Sequence, residues 1–478
     1  MWKRSEGGNP DRFVEGKMKR NYVTWGIVLL GILLLFTGAV GGNSVLGKLA
    51  DSLGSHAAGR VVVSIAKEAA SDFGNLFTVN DVKKLSEQPG TGEPAAAAES
   101  IKPVGFDDIS VTSVIRGVTS NFYDYDTIEI VKGSIFTEKD EKESNRVAVL
   151  DEELALELFK TVNAVGNRIK LYDKTFRVVG VAARDTSILG ILSERKEPVV
   201  YIPVNVLLEL DRSAGISSIR TATAGEDLLG GNEDTVTSAL RAIGKNPSNY
   251  IIEDYGIKEY LMRQTAQLVI FIPGLAVIFT LAVLLINVVK RTASILLSAG
   301  RTDYFGNVLK NNKGILSGEL TRAALLSGSI YAVWFGIRFR IFIPQNNIPD
   351  DLTDLSYYFD LLKENILQGN SQIGCIPPVE GIILANAQKV ICVLTVAALA
   401  VGIPLILAGF YRLKLKGTSL FVLAPVCSAM TMAAAAMIPL AAVASGMSPD
   451  WNTKGILVLF SFVFINMILF SKERDEVF

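Results

Sequence analysis

The stretch from Gly42 to Thr265 is a long polar insert held between two apolar runs that carry no charge. Tyr22–Val40 reads YVTWGIVLLGILLLFTGAV and Leu268–Val289 reads LVIFIPGLAVIFTLAVLLINVV. Uncharged apolar runs of about 18 residues or more read as membrane-spanning helices. A polar domain entered and left through two spans has its first and last residues close together at one membrane face. Motion of that domain then passes into the two helices, and motion of the helices passes into the domain. The layout is that of a mechanical transmitter rather than of a pocket enzyme.

The remaining chain extends the membrane part. Ile315–Ile337 is apolar apart from Glu319 and Arg322 near its start, and Val390–Tyr411, Leu420–Ala444 and Gly455–Phe470 carry no charge. The last is short, near the lower limit of about 17 residues for a span. Six spans are predicted, at 22–41, 266–289, 315–343, 389–411, 418–446 and 453–471. With 49% hydrophobic and 20% charged residues and a mean hydropathy of +0.35, the composition fits a membrane protein with a large polar domain. The net charge of −1 gives no reason to expect nucleic acid as a partner.

Loop charges set the orientation. Lys3, Arg4, Arg12, Lys17, Lys19 and Arg20 fill the 1–21 tail, Lys290, Arg291, Arg301, Lys310 and Lys313 fill 290–314, and Arg412, Lys414 and Lys416 follow the fourth span. The loop 344–388 is acidic, with Asp350, Asp351, Asp354, Asp360, Glu364 and Glu380 against Lys363 and the flanking Arg338 and Arg340 as a local exception. The positive-inside rule places both tails (1–21 and 472–478) and 290–314 in the cytoplasm, and 42–265 and 344–388 outside. Trp25 and Trp451 suit interfacial belts. No A-x-A site follows the first run, so a retained anchor is expected rather than a cleaved leader.

Within the insert, Val61–Phe73 has apolar residues at helical spacing, Val79–Glu87 suits a short helix, and Pro89–Ser100 (PGTGEPAAAAES) reads as a linker. Strands are predicted at Ser110–Val118, Thr127–Val131, Arg146–Leu150, Arg168–Leu171, Phe176–Ala182, Val199–Ile202, Ile219–Thr223 and Tyr250–Glu253, with helices at Glu152–Phe159 and Glu233–Ile243. The alternation predicts an α+β external domain.

Two stretches carry a resemblance. The series from Val114 to Pro203 places Gly117–Val118, Gly133–Phe136 followed by Asp140, Val147–Leu150, Leu154–Phe159, Gly166–Ile169, Phe176–Val181 and Tyr201–Pro203 in a fixed order. The loop Lys290–Glu319 has Arg291, Ile295, Leu296, Ala299, Gly300, Asp303 and Tyr304 before Glu319. Both resemble the MacB/FtsX-like ABC transporter permeases. The resemblance implies an α-helical membrane protein with a MacB-like core domain between spans one and two, working by mechanotransmission. It implies a coupling helix for a separate cytoplasmic ATPase dimer, with Arg291, Ala299, Gly300, Arg301, Asp303 and Tyr304 as contacts. It implies a second permease chain, an external adaptor, hydrolase or substrate protein, and a bacterial cytoplasmic membrane location. The chain departs from the family pattern in its two extra C-terminal spans, its long 344–388 loop and a third span that keeps only Gly328 and Gly336. A non-transporting, FtsX-like regulator of a cell-wall hydrolase fits the same residues.

Catalytic signals are missing. No GxxxxGK[ST], GxSxG or HExxH occurs in the sequence, so a non-catalytic subunit is expected, binding no cofactor itself, with ATP and Mg2+ on the partner. His56 is the single histidine, and Cys375, Cys392 and Cys427 have no metal-ligand spacing. The run Glu138–Glu143 (EKDEKE) reads as a solvated face, Asp350, Asp351 and Asp354 as a solvated loop, and Glu319 with Arg322 as a local ion pair at i, i+3. Asn287 and Asn466 are polar positions inside spans, and no row of charges lines an ion path.

Overall fold

The computed structural model of the chain describes residues 10–53, 59–66, 68–69, 72–126, 128–184, 191, 197–223, 231–300, 310, 312–344, 356, 379–447 and 452–471, of which 10–21, 51–53, 299–300 and 379–380 are described as backbone alone. Ten strands follow the first long helix, α1 (Pro10–Leu53). They are β1 (Arg60–Ile65), β2 (Ala95–Phe106), β3 (Ile109–Val118), β4 (Ile130–Gly133), β5 (Val147–Asp151), β6 (Arg168–Leu171), β7 (Lys174–Ala182), β8 (Val199–Pro203), β9 (Ile216–Ala222) and β10 (Tyr250–Asp254). One sheet runs β10-β1-β9-β2-β3-β8-β5-β7-β4, with β6 joined to β7 and β2. The β3–β8 and β5–β7 pairs are parallel and the rest are antiparallel.

Helices α2 (Val79–Ser86), α3 (Glu138–Lys142), α4 (Glu152–Phe159), α5 (Val204–Leu210) and α6 (Asn232–Ala242) complete the domain. Val82, Leu85, Leu154, Leu158, Leu207, Val236 and Leu240 from four of these helices join one core with Val61, Val63, Ile115 and Leu150 of the sheet. A smaller core on the other face holds Ala95, Ala97, Phe122, Tyr125, Phe136 and Val149. Asp151 caps α4 by accepting from Leu154 N at 2.7 Å and also accepts from Val199 N at 2.7 Å, tying the helix start to β8. Burial lifts the Asp151 carboxyl to about 6 against these two hydrogen bonds.

Two readings of the insert are corrected. Val61–Phe73 does not extend α1 as a helix: Arg60–Ile65 is strand β1, paired with β9 and β10. All six of its residues are buried, so the strand has no polar alternation and its run of valines imitates a helical stripe. The alanines of the expected linker are the first half of β2, inserted between β9 and β3. Alanine favours helix on propensity, but here both faces of the strand pack, and the small side chain suits that place.

The motif residues have local causes. Gly133 sits at φ +77°, and a Cβ there would fall 2.2 Å from Val179 O, so glycine is required. Asp140 closes a capping box with Thr137, accepting from its amide at 2.9 Å. The EKDEKE run is an exposed helix and its turn, as the charge pattern predicts: Lys142 pairs with Glu138 while both stay about 70% exposed.

The membrane part contains α1, α7 (Tyr255–Gly300), α8 (Lys313–Ile337), α9 (Val379–Val396), a π-helical stretch Ala397–Gly402, α10 (Ile403–Leu415), α11 (Leu420–Ala444) and α12 (Thr453–Leu469). Five helices are long and apolar enough to cross a membrane, counting 381–415 as one, and α12 is a shorter apolar helix of 17 residues. Phe36 of α1, Val277 of α7, Phe410 of α10, Cys427 of α11 and Phe462 of α12 belong to one core. The C-terminal pair is part of the bundle: Phe460 meets Phe36 edge-on at 5.6 Å, and Val458 lies against Gly274 and Gly336.

Candidate functional site

The joint between sheet and membrane is built without a linker on one side. Strand β10 ends at Asp254 and helix α7 begins at Tyr255. Asp254 is 2% exposed; its Oδ1 accepts from Ile257 N at 3.0 Å and its Oδ2 from Asn232 Nδ2 at 2.8 Å. One carboxylate thus caps the helix and anchors it to α6. Asp254 N donates to Glu233 Oε1 at 3.2 Å, adding a second tie to α6. Burial raises the Glu233 carboxyl above its usual range, the charge of Asp254 adds to this, and the Asp254 amide and Lys258 oppose it.

Strand β1, which follows α1, pairs with β10 from Val61↔Asp254 to Ile65↔Tyr250. The strands attached to the two helices are therefore neighbours in one ladder. Beneath them Val45, Leu46 and Leu49 of α1, Val62 of β1, Tyr255, Met262 and Ala266 of α7, and Leu384, Ala387 and Ile391 of α9 form a separate buried cluster. The Tyr255 ring is fully buried, with the Arg60 guanidinium 5.5 Å and the Lys258 ammonium 5.9 Å from its centroid.

Helices α1 and α7 have 44 and 46 residues. At 1.5 Å per residue each is roughly 65–70 Å long, about twice the hydrocarbon thickness of a bilayer. They touch through small residues: a Cβ at Gly42 would lie 3.2 Å from Ala266 Cβ, and one at Gly38 3.2 Å from Val269 Cγ1. The other flank of α1 crosses the π-helical stretch, where a Cβ on Gly31 would meet Gly402 O at 2.8 Å. The π stretch runs directly into α10, whose second residue is Pro404, and π-bulges are frequent at functional positions.

At its inner end α7 is held differently. Arg291 is 63% exposed and its Nε lies 3.7 Å from Glu319 Oε1 of α8; Arg322 Nη1 lies 3.3 Å from the same oxygen. Glu319 itself is 5% exposed. The i, i+3 pair expected from sequence is present, and Arg291 joins it from 28 positions away. Leu297, further along α7, is 71% exposed.

Of the expected coupling residues, Arg291 is placed at this charge cluster. Ala299 and Gly300 are the last residues of α7, described as backbone, whereas Arg301, Asp303 and Tyr304 lie outside the described residues. His56, Cys375, Trp451, Asp350, Asp351 and Asp354 also lie outside them. Among the described residues no three His, Cys, Asp or Glu side chains converge as metal ligands would. The joint at Asp254 and Tyr255 is not singled out by the sequence. Its signal was an acidic N-cap residue directly after a strand, with no Gly or Pro between.

Comparison with known proteins shows what the first half of the chain is similar to. Residues 23–237 match the family model of the MacB-like periplasmic core domain. The uncharacterized ABC transporter permease YknZ of Bacillus subtilis (strain 168) is 21% identical over 186 residues, covering 39% of this chain and 43% of YknZ. The macrolide export ATP-binding/permease protein MacB of Aggregatibacter actinomycetemcomitans is 24% identical over 228 residues, 45% of this chain and 35% of MacB. The chain thus aligns with less than half the length of these curated relatives.

Among solved structures, the periplasmic region of MacB from Actinobacillus actinomycetemcomitans matches 46% of this chain and 97% of its own, with a TM-score of 0.36 and 19% identity. The extracellular domain of the noncanonic ABC-type transporter YknZ from Gram-positive bacteria matches 41% and 99%, with a TM-score of 0.32 and 16% identity. The chain carries a MacB-like periplasmic core domain, and its resemblance to the MacB/FtsX-like ABC transporter permeases is borne out. It is a multi-pass membrane protein with an extracytoplasmic domain.

Proposed function

We propose that this chain is the permease-type subunit of an ABC complex and carries ATP-driven motion from a separate cytoplasmic ATPase dimer to the external domain. The observation that supports this most is the joint. The strands that follow α1 and precede α7 are hydrogen-bonded neighbours, and α7 starts at the residue after β10. A tilt of either helix is delivered to the sheet with no flexible segment at the α7 side. In this reading there are six spans, both termini are cytoplasmic in a bacterial cell membrane, and 290–314 docks the ATPase. The ATPase supplies ATP and Mg2+ chemistry, since no phosphate loop occurs in these 478 residues. A second permease chain matches the paired ATPase, and the output is export of a substrate.

The test is co-purification and ATPase turnover with variants at Gly300 and Asp303. Gly300→Trp, or Asp303→Lys, should weaken binding of the ATPase or abolish its stimulation while membrane insertion and the external domain stay intact. Unchanged binding together with unchanged stimulated turnover would remove the coupling role. Retained coupling with no exported substrate, and a hydrolase bound outside, would support the regulator instead.

A further inference from the structure

The outer end of α8 departs from the charge rule that orders the rest of the chain. After Ile337, which lies against Gly274, the segment Arg338–Pro344, RFRIFIP, continues along α7 toward the start of that helix. Tyr260 Oη donates to Arg340 O at 2.7 Å, and Phe342 N donates to Gln264 Oε1 at 2.9 Å. The rings of Phe339 and Phe271 meet edge-on at 5.2 Å, and those of Phe342 and Tyr260 at 6.1 Å. This strap leaves a recess of about 100 Å3 lined by Tyr260, Arg263, Gln264, Gln267, Phe339 and Arg340. One turn back on α8, Arg338 and Lys454 both lie 4.5 Å from the centroid of Phe335.

The described side chains at this place comprise the cations Arg263, Arg338, Arg340 and Lys454, with Glu259 paired to Arg263 at 2.9 Å. The C-terminal dipole of α8 accounts for Arg338 alone. It does not account for Arg340, which is past the helix, or for Arg263 and Lys454 on other helices. Two further residues of the strap, Ile341 and Ile343, are 60% and 56% exposed. An exposed apolar pair directly after two arginines, with aromatic side chains around it at the end of a membrane helix, is the pattern of an interfacial segment.

We propose that this recess binds the phosphate headgroup of an anionic phospholipid, in the leaflet on the side of the external domain. Guanidinium groups take phosphate oxygens in paired hydrogen bonds. Gln264 Oε1 accepts from Phe342 N–H, which fixes the amide's orientation and leaves its Nε2 as a donor. Ile341 and Ile343 face the acyl region and fix the headgroup at the level of Arg340. The site anchors the strap, and through it the start of α7, to the lipid surface.

The experiment uses the full chain in nanodiscs of phosphatidylcholine with or without phosphatidylglycerol, with bound lipid counted by native mass spectrometry. Phosphatidylglycerol should be retained over phosphatidylcholine, and Arg263→Gln with Arg340→Gln should reduce that preference by about fivefold for each charge removed. Arg263→Lys with Arg340→Lys, which keeps the charges and loses the paired hydrogen bonds, should leave a preference between those of the unaltered chain and the double glutamine variant, which separates loss of the site from loss of fold. Lys414→Gln, on the opposite face, should have no effect. Absence of preference in the unaltered chain, or full preference in the double glutamine variant, would overturn the proposal. So would displacement of the lipid by inorganic phosphate at equal concentration, which would identify a site for a free anion.

Discussion

The two ends of α7 are built on different principles. The outer end grows out of a sheet: Asp254 is fixed by hydrogen bonds to α6 and to the first turn, and Tyr255 is fully buried among residues of α1, β1 and α9. The inner end meets α8 through charge, with Arg291 3.7 Å from Glu319 and still 63% exposed. In the function proposed, a helix fixed at one end and open at the other works as a lever: the fixed end defines what it moves, and the open end is where force enters. The same helix is thus dense in short-range contacts at its outer end and sparse at its inner end.

The comparison breaks most readily at Tyr255. Tyr255→Ala should remove about 3–5 kcal/mol from the joint, the range for truncating a buried aromatic ring. Hydrogen exchange of the β1 and β10 amides in the full chain should accelerate accordingly, with the β5 and β7 amides little changed. Full protection in β10 would mean that the cluster under the sheet is not what holds the joint.

A second test bears on the external domain behind the fixed end. The Asp151 carboxyl is raised to about 6, so its contribution is complete below the unfolded value near 4 and is lost as pH rises through 6. The loss is on the order of 3 kcal/mol across that window. Asp151→Asn, which keeps an acceptor for the α4 cap, should flatten the dependence of domain stability on pH between 4 and 6. An unchanged slope in the variant would assign the pH dependence to another group.

The smallest effect is expected at the open end. The arginines around Glu319 are largely solvated, so Glu319→Gln should cost less than about 1 kcal/mol. A spin label at Leu297 should nevertheless become more mobile, because the tie between α7 and α8 is weakened. Mobility that stays the same would show that the inner end is held by something other than charge.

Much of this arrangement could be read from the residues. Strands β6 and β7 and helices α2, α4 and α6 follow from alternation, capping residues and periodicity, because each has a polar face, whereas β5 and β8 are legible as short β-rich apolar runs, β5 being buried on both faces. The exceptions are instructive. Strand β1 is buried on both faces and lacks alternation, and the first half of β2 is polyalanine whose strand conformation comes from its neighbours β3 and β9. The site divides in the same way. Glu319 and Arg322 are neighbours on one helix turn and were legible, whereas Arg291 reaches them through the packing of α7 on α8. Asp254 and Tyr255 carry the joint although a strand passing into a helix without punctuation leaves little trace in sequence.

The central claim is that the direct passage of β10 into α7 carries the motion. It is tested by inserting a flexible Gly-Ser segment between Asp254 and Tyr255 and measuring the distance between spin labels at Ser86 and Lys414, in a background without native cysteines, in the reconstituted complex. The unaltered chain should show a nucleotide-dependent shift in that distance. The insertion should abolish the shift while the partner ATPase still binds and turns over. A shift of the same size in the chain with the insertion would contradict the account.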